Sequence, residues 1–205
     1  MSETKQLFGT AVRKELLPEK YASIIQTFDK YESDDRADIA NYGHRSKNSY
    51  ILDEPQSHPL RDYILERVRD YSYNDLFYDY SSYKMSQSWL SYKEPGQHHT
   101  MHTHPNSLIS GVFYFGPSEE KTPAIRFHNA RVGVGAQQIK PKTRKGYNPD
   151  VMDVMFEAGM MVLFPSYLHH SVPVNTSNSI RCSLAFNVVP SIGFGEEGNL
   201  TELKF

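Results

Sequence analysis

The spacing of apolar positions changes character near residue 80. Before it, the chain reads as helices with one short strand. Residues 6–17, QLFGTAVRKELL, predict a strand and a turn. Residues 18–32 predict a helix that opens on Pro18 and places Tyr21, Ile24, Ile25 and Phe28 on one face. Residues 57–77 predict a second helix, with Leu60, Ile64 and Val68 four residues apart. Beyond residue 80, short runs of β type alternate with Gly, Pro, Asn and Ser: 86–92, 107–115, 123–129, 151–159, 160–165, 180–189 and 200–205. Helices followed by an antiparallel core predict an α+β domain built on a sandwich or barrel.

Composition agrees with that pattern. The chain has 205 residues, 39% of them apolar and 13% aromatic, enough for one domain with its own core. Fourteen tyrosines, eleven phenylalanines, twelve glycines and twelve prolines favour β structure. A net charge of −2 gives no reason to expect nucleic acid or an anionic membrane as partner. The lone cysteine, Cys182, excludes an internal disulfide and suits a reducing compartment. No run approaches the length of a membrane span, and the first twenty residues lack an apolar signal core. These features together predict a cytoplasmic protein, read as a single domain over 1–205 with a helical part to about 80 and a β-barrel core from about 81.

The histidines carry the chemistry. Seven of nine lie between His98 and His170. On an extended strand His102 and His104, two residues apart, project from one face and suit two adjacent positions on a metal. A third ligand must come from elsewhere, and the pair His169 and His170 offers it. Gly159 provides a turn, 160–164 a buried strand, and Pro165 ends the ladder just before that pair. Imidazoles suit Fe, Zn, Cu, Ni or Mn alike. A histidine-rich loop with no metal is the alternative at this point. His98 and His99 read as exposed loop residues.

The 180–189 run is odd for a buried strand, since Arg181, Ser183, Ala185 and Asn187 share one face. A buried guanidinium needs an anion and forks onto carboxylates. Arg181 with Ser183 suits one carboxylate of a small diacid. A strand at the sheet surface, with Arg181 and Asn187 solvated, is the alternative.

The order H-x-H-P at 102–105, Ser-Gly-x-x-Tyr at 110–114, F-P-S at 164–166, His170, then R-x-S-x-x-F-N at 181–187 resembles a 2-oxoglutarate-Fe(II) oxygenase family of bacteria and phages. The resemblance covers 89–187. It implies a double-stranded β-helix, a jelly-roll or cupin-like barrel, braced by the N-terminal helices. It implies Fe(II) held by His102 and His170, with His104 where the wider superfamily carries Asp or Glu. It also implies 2-oxoglutarate held at its far carboxylate by Arg181 and Ser183, with O2 and an unidentified prime substrate as further partners. Succinate and CO2 would be released and the substrate hydroxylated. Tyr114, Ser110 and Asn187 fall on site-facing positions, Tyr114 and Asn187 as candidate cosubstrate contacts. An ordinary core tyrosine is the other reading of Tyr114.

Two rival functions remain at this stage. One is a cupin-type metal protein that does not use 2-oxoglutarate: Gly96 and Gly159 precede the histidines at cupin-like spacing, but the cupin glutamate is absent. The other is a non-catalytic jelly-roll module whose histidines hold structural Zn or no metal. The stretch 130–150 carries five basic residues against one acid and reads as a cover for an anionic substrate or as a solvated insertion. A homodimer through an edge strand is left open.

Overall fold

The computed structural model describes residues 9–30, 33–34, 43–116, 123–129, 142–143 and 149–205. Most of the basic stretch 130–150 lies outside them, as do residues 31–32 of the first helical run.

Thirteen strands are formed among the described residues: β1 (Arg13–Leu16), β2 (Ser33–Asp34), β3 (His44–Ser46), β4 (Tyr83–Lys93), β5 (His99–His102), β6 (Ile109–Phe115), β7 (Pro123–His128), β8 (Val151–Met155), β9 (Met160–Pro165), β10 (His170–Val172), β11 (Arg181–Pro190), β12 (Gly193–Phe194) and β13 (Leu203–Lys204). Seven form one sheet in the order β1-β9-β6-β11-β4-β3-β2; four form a second, β5-β10-β7-β8; β12 and β13 pair alone. Every pairing between named strands is antiparallel. The helices are α1 (Ala22–Gln26) and α2 (His58–Asn74), with short 3-10 turns around them.

Strand alternation sorts the core into two layers. From β6, β9 and β11, Ile109, Phe113, Phe115, Met161, Leu163, Leu184 and Phe186 face the helices. Leu60, Ile64, Val68 and Tyr71 of α2 cover them, at the four-residue spacing read from the sequence. The opposite positions, Tyr114, Met160, Val162 and Phe164, join Ala124, Ile125 and Phe127 of β7 in a second apolar layer. Gly111 allows the close packing on the helix side. A Cβ there would run into the Phe186 ring and come within 2.9 Å of Leu163 Cδ2.

Two expectations change. The first helix is not continuous: 3-10 turns at Glu19–Tyr21 and Thr27–Lys30 flank the five residues of α1. β-Branched Ile24, Ile25 and Thr27 are poor helix formers, and the Thr27 hydroxyl donates back to Ile24 O at 2.6 Å. Tyr21 and Phe28 are buried as expected. Nor is the N-terminal part only helical. The short strand read within 6–17 is β1, at one end of the large sheet, and β3 and β2, which were not foreseen, extend the other. Arg13 of β1 bonds to Asp70 and Asp75 around the end of α2, while Arg67 bonds to Glu15 at 3.2 Å.

No helix among the described residues is long and apolar enough to cross a membrane.

Candidate metal centre

β5 and β10 place His102 and His170 directly opposite each other in register. Their rings lie 4.2 Å apart between centroids, and His104 stands 5.2 Å from His102 and 5.0 Å from His170. One nitrogen from each ring falls within 4.8 Å of the other two. β5 ends at His102, so His104 reaches the cluster from the segment beyond it, where its backbone N–H donates to Ser166 O at 3.0 Å. The sequence reading had both on one strand. The shared direction survives, but the ladder stops between them.

Each ring is held by its Nδ1. His102 Nδ1 donates to Thr100 O at 2.8 Å and His170 Nδ1 to Leu168 O at 2.9 Å. His104 Nδ1 donates to Asn187 Oδ1 at 2.5 Å. Carbonyl oxygens only accept, so the proton sits on Nδ1 and the lone pair on Nε2 in all three rings. Burial lowers all three pKa values, that of His170 to about 3, which keeps the rings neutral. Neutral imidazoles with fixed tautomers and converging lone pairs are a donor set that suits Fe(II).

Asn187 belongs to a longer chain of hydroxyls. Its Oδ1 also accepts from Ser110 Oγ at 2.9 Å; Ser110 bonds to Ser166 at 2.8 Å, and Ser166 donates to Ser107 at 2.9 Å. Ser110 thus faces the site, as its spacing suggested, while Asn187 is engaged with a candidate ligand. The Phe164 ring meets His170 edge-on at 4.7 Å and screens it from water.

Arg181 is buried, 5% exposed, which rules out the solvated-surface reading. It donates to Pro173 O at 3.0 Å, and burial pulls its pKa down while the neighbouring Tyr114 acts in the opposite sense. Tyr114 is itself buried, its hydroxyl pKa pushed up, with its ring edge-on to Phe156 at 5.6 Å. Ser183 pairs with Tyr114 on β6 and with Ser91 on β4. Directly paired residues share a face, so the site wall runs in rows across three strands: Tyr114–Ser183–Ser91, Val112–Ala185–Trp89, and Ser110–Asn187–Gln87. Arg181 and Lys93 form a further row, directly opposed.

Sequence reading missed Lys93, Ser91 and Trp89, whose ring lies 6.0 Å from that of His104. Only the pairing of β4 with β11 reveals them. His99 is not a loop residue: it opens β5, its ring lies 4.3 Å from His102, and burial pushes its pKa down to about 4. His98 is half-buried, and His169 stays outside the three-nitrogen cluster, its carbonyl accepting from His128 N at 2.8 Å.

Several solved structures share this fold at low identity. HygX from Streptomyces hygroscopicus, crystallised with nickel, 2-oxoglutarate and hygromycin B, superposes with a TM-score of 0.64 at 10% identity, over 90% of this chain and 85% of that one. A Pseudomonas putida prolyl-4-hydroxylase gives 0.54 at 16% identity, covering 87% and 92%. An oxidoreductase of the 2OG-Fe(II) oxygenase family from Burkholderia pseudomallei gives 0.58 at 13%, covering 86% and 84%. No curated protein matches the chain by sequence. Residues 87–187 match the model of the family described as "Putative 2OG-Fe(II) oxygenase". That stretch contains the three clustered histidines, Arg181 and Ser183, and over it the chain is similar to the 2OG-Fe(II) oxygenases.

Proposed function

We propose that His102, His104 and His170 hold Fe(II) through Nε2, and that Arg181 and Ser183 hold the distal carboxylate of 2-oxoglutarate. The carrying observation is the convergence of three rings whose Nδ1 protons are already committed to Thr100, Leu168 and Asn187. With both groups bound, the centre supplies oxygen activation coupled to hydroxylation of a substrate C–H bond and release of succinate and CO2. The chain's own part is to bind, orient and shield. Thr100, Leu168 and Asn187 aim the lone pairs. Arg181 offers a buried fork to a carboxylate, and Ser183 adds a hydroxyl one pleat away. The apolar row Val112–Ala185–Trp89 lies between that polar patch and Asn187. It suits a ligand with two polar ends and a hydrocarbon middle. Tyr114, beside Arg181, is placed to donate its un-ionised hydroxyl to the same carboxylate.

Fold topology supports the reading. From β4 to β11, four strands fall in the large sheet (β4, β6, β9, β11) and four in the small one (β5, β7, β8, β10), with the chain crossing between sheets repeatedly. We read these eight as a double-stranded β-helix within a single domain, with α2 as its brace. The cytoplasmic setting expected from the lone cysteine is part of the same reading.

The test is anaerobic titration of metal-free protein with Fe(II) and then 2-oxoglutarate, following the weak visible charge-transfer band of the chelate. The band should form, and should weaken in Arg181→Ala. Iron binding without a band would favour the cupin-type alternative, and failure to bind iron would sink the proposal.

A further inference from the structure

Among the described residues, Lys93 is the one buried cation of the site wall that the family pattern leaves without a task. It is 7% exposed and stands directly opposite Arg181 across the β4–β11 ladder. Its ammonium donates to Ser91 Oγ at 2.9 Å, and among the described residues no carboxylate forms an ion pair with it. Burying an ammonium against one neutral hydroxyl, beside a guanidinium, is unfavourable unless an anion completes the site. Packing does not require it, since a methionine would fill the same volume. The backbone carbonyl of Lys93 accepts from Asn175 Nδ2 at 2.8 Å, a bond that does not depend on the side chain.

Its neighbours define what it can bind. Ser91 and Ser183 are directly paired one pleat along, so two cations and two hydroxyls form one square of the wall. The apolar row of Ala185 and Trp89 lies on the side toward Asn187. Lysine adds a point charge to the planar fork of arginine, and a carboxylate with two oxygens accepts both.

We propose that Lys93 is a second cationic contact for the distal carboxylate of 2-oxoglutarate, sharing it with Arg181. This rests on the cosubstrate assignment above. Two cations make the pocket select strongly for five-carbon keto acids that end in a carboxylate.

The experiment measures equilibrium binding to the Fe(II)-loaded protein under anaerobic conditions. Trp89, the sole tryptophan and a wall residue, supplies the fluorescence signal, and calorimetry checks it. Two ligands are compared: 2-oxoglutarate and 2-oxopentanoate, the same chain ending in a methyl group. Lys93→Met should weaken 2-oxoglutarate about 10- to 100-fold, as for loss of a hydrogen bond to a charged group. Binding of 2-oxopentanoate should change less than about twofold. Lys93→Arg should keep most of the affinity, which separates lost charge from a damaged fold. Equal losses for both ligands, or none for either, would overturn the proposal. Arg181→Met runs beside it. If wild-type protein binds 2-oxoglutarate and only Arg181→Met weakens it, the role of Lys93 fails and the cosubstrate site stands. If wild-type protein does not distinguish the two ligands, the cosubstrate site itself fails and Lys93 with it.

Discussion

His170 faces His102 across the β5–β10 ladder as a direct cross-strand pair, although the two are 68 positions apart in the chain. Two short strands with little apolar content therefore exist where the site needs them. Strand pairing holds the rings together before any metal arrives. Removing either ring should abolish tight metal binding. For His102→Ala and His170→Ala we expect Fe(II) affinity to fall by more than about 100-fold, because loss of an outer partner alone costs 10- to 100-fold. Anaerobic titration read by Trp89 fluorescence checks this, and retention of wild-type affinity in either variant would exclude that ring as a ligand.

Asn187 should matter through His104. Replacing it with Leu leaves the His104 Nδ1 proton and the Ser110 hydroxyl without their acceptor. Fe(II) affinity is expected to drop about 10- to 100-fold, and stability by about 1–3 kcal/mol. Asn187→Asp keeps an acceptor and should hold most of the metal affinity. Urea unfolding of the metal-free proteins separates the two effects.

The Lys93 ammonium has its pKa pushed down to about 8, by burial first and by the Arg181 charge second. The charged and titratable groups that interact with it are the permanently charged Arg181 and the neutral rings of His99 and His102. An anion favours the protonated lysine, so 2-oxoglutarate affinity should be flat below pH 8 and fall above it. The Lys93→Met variant should lose that step. The unliganded fold behaves in the opposite sense. Between about pH 8 and the ordinary lysine value the unfolded chain binds more protons, so the contribution of Lys93 to stability rises with pH. Binding and unfolding measured across pH 7–10 would show the two opposed slopes.

Gly111→Ala should destabilise without touching the site. The new methyl meets the Phe186 ring and Leu163 on the helix face of β6. Overpacking of this kind costs about 1–3 kcal/mol. Thermal unfolding should report the loss, while Fe(II) affinity of the folded protein stays unchanged. A variant as stable as wild type would mean that the Phe186 ring turns aside at no cost.

Much of this was legible from local pattern. Short apolar runs bounded by turn residues located β6, β9 and β11, whose two faces enter two different layers, and four-residue spacing located α2, which buries a single face. The metal ligands and Arg181 stood out as polar residues where apolar ones belong. Lys93, Ser91 and Trp89 did not, since their facing is defined only by the β4–β11 register, which joins residues about ninety apart. The broken first helix was missed for a different reason. Its apolar spacing is helical, but the β-branched run and the Thr27 back-bond set the backbone locally. A strand was read within 6–17, where β1 lies, but β2 and β3 were hidden among helices because strands of two and three residues carry little pattern of their own.

β1 has a consequence beyond its bonds to α2. It pairs with β9 over Arg13–Leu16, and β9 is six consecutive buried residues, MMVLFP. Without that partner, β9 would present a bare row of amides on an apolar strand, a template for joining one molecule to the next. Four residues with charged side chains at three positions thus act as a selvedge on the sheet. An affinity tag or deletion that disturbs Arg13–Leu16 would show its effect first as loss of solubility, ahead of any loss of chemistry.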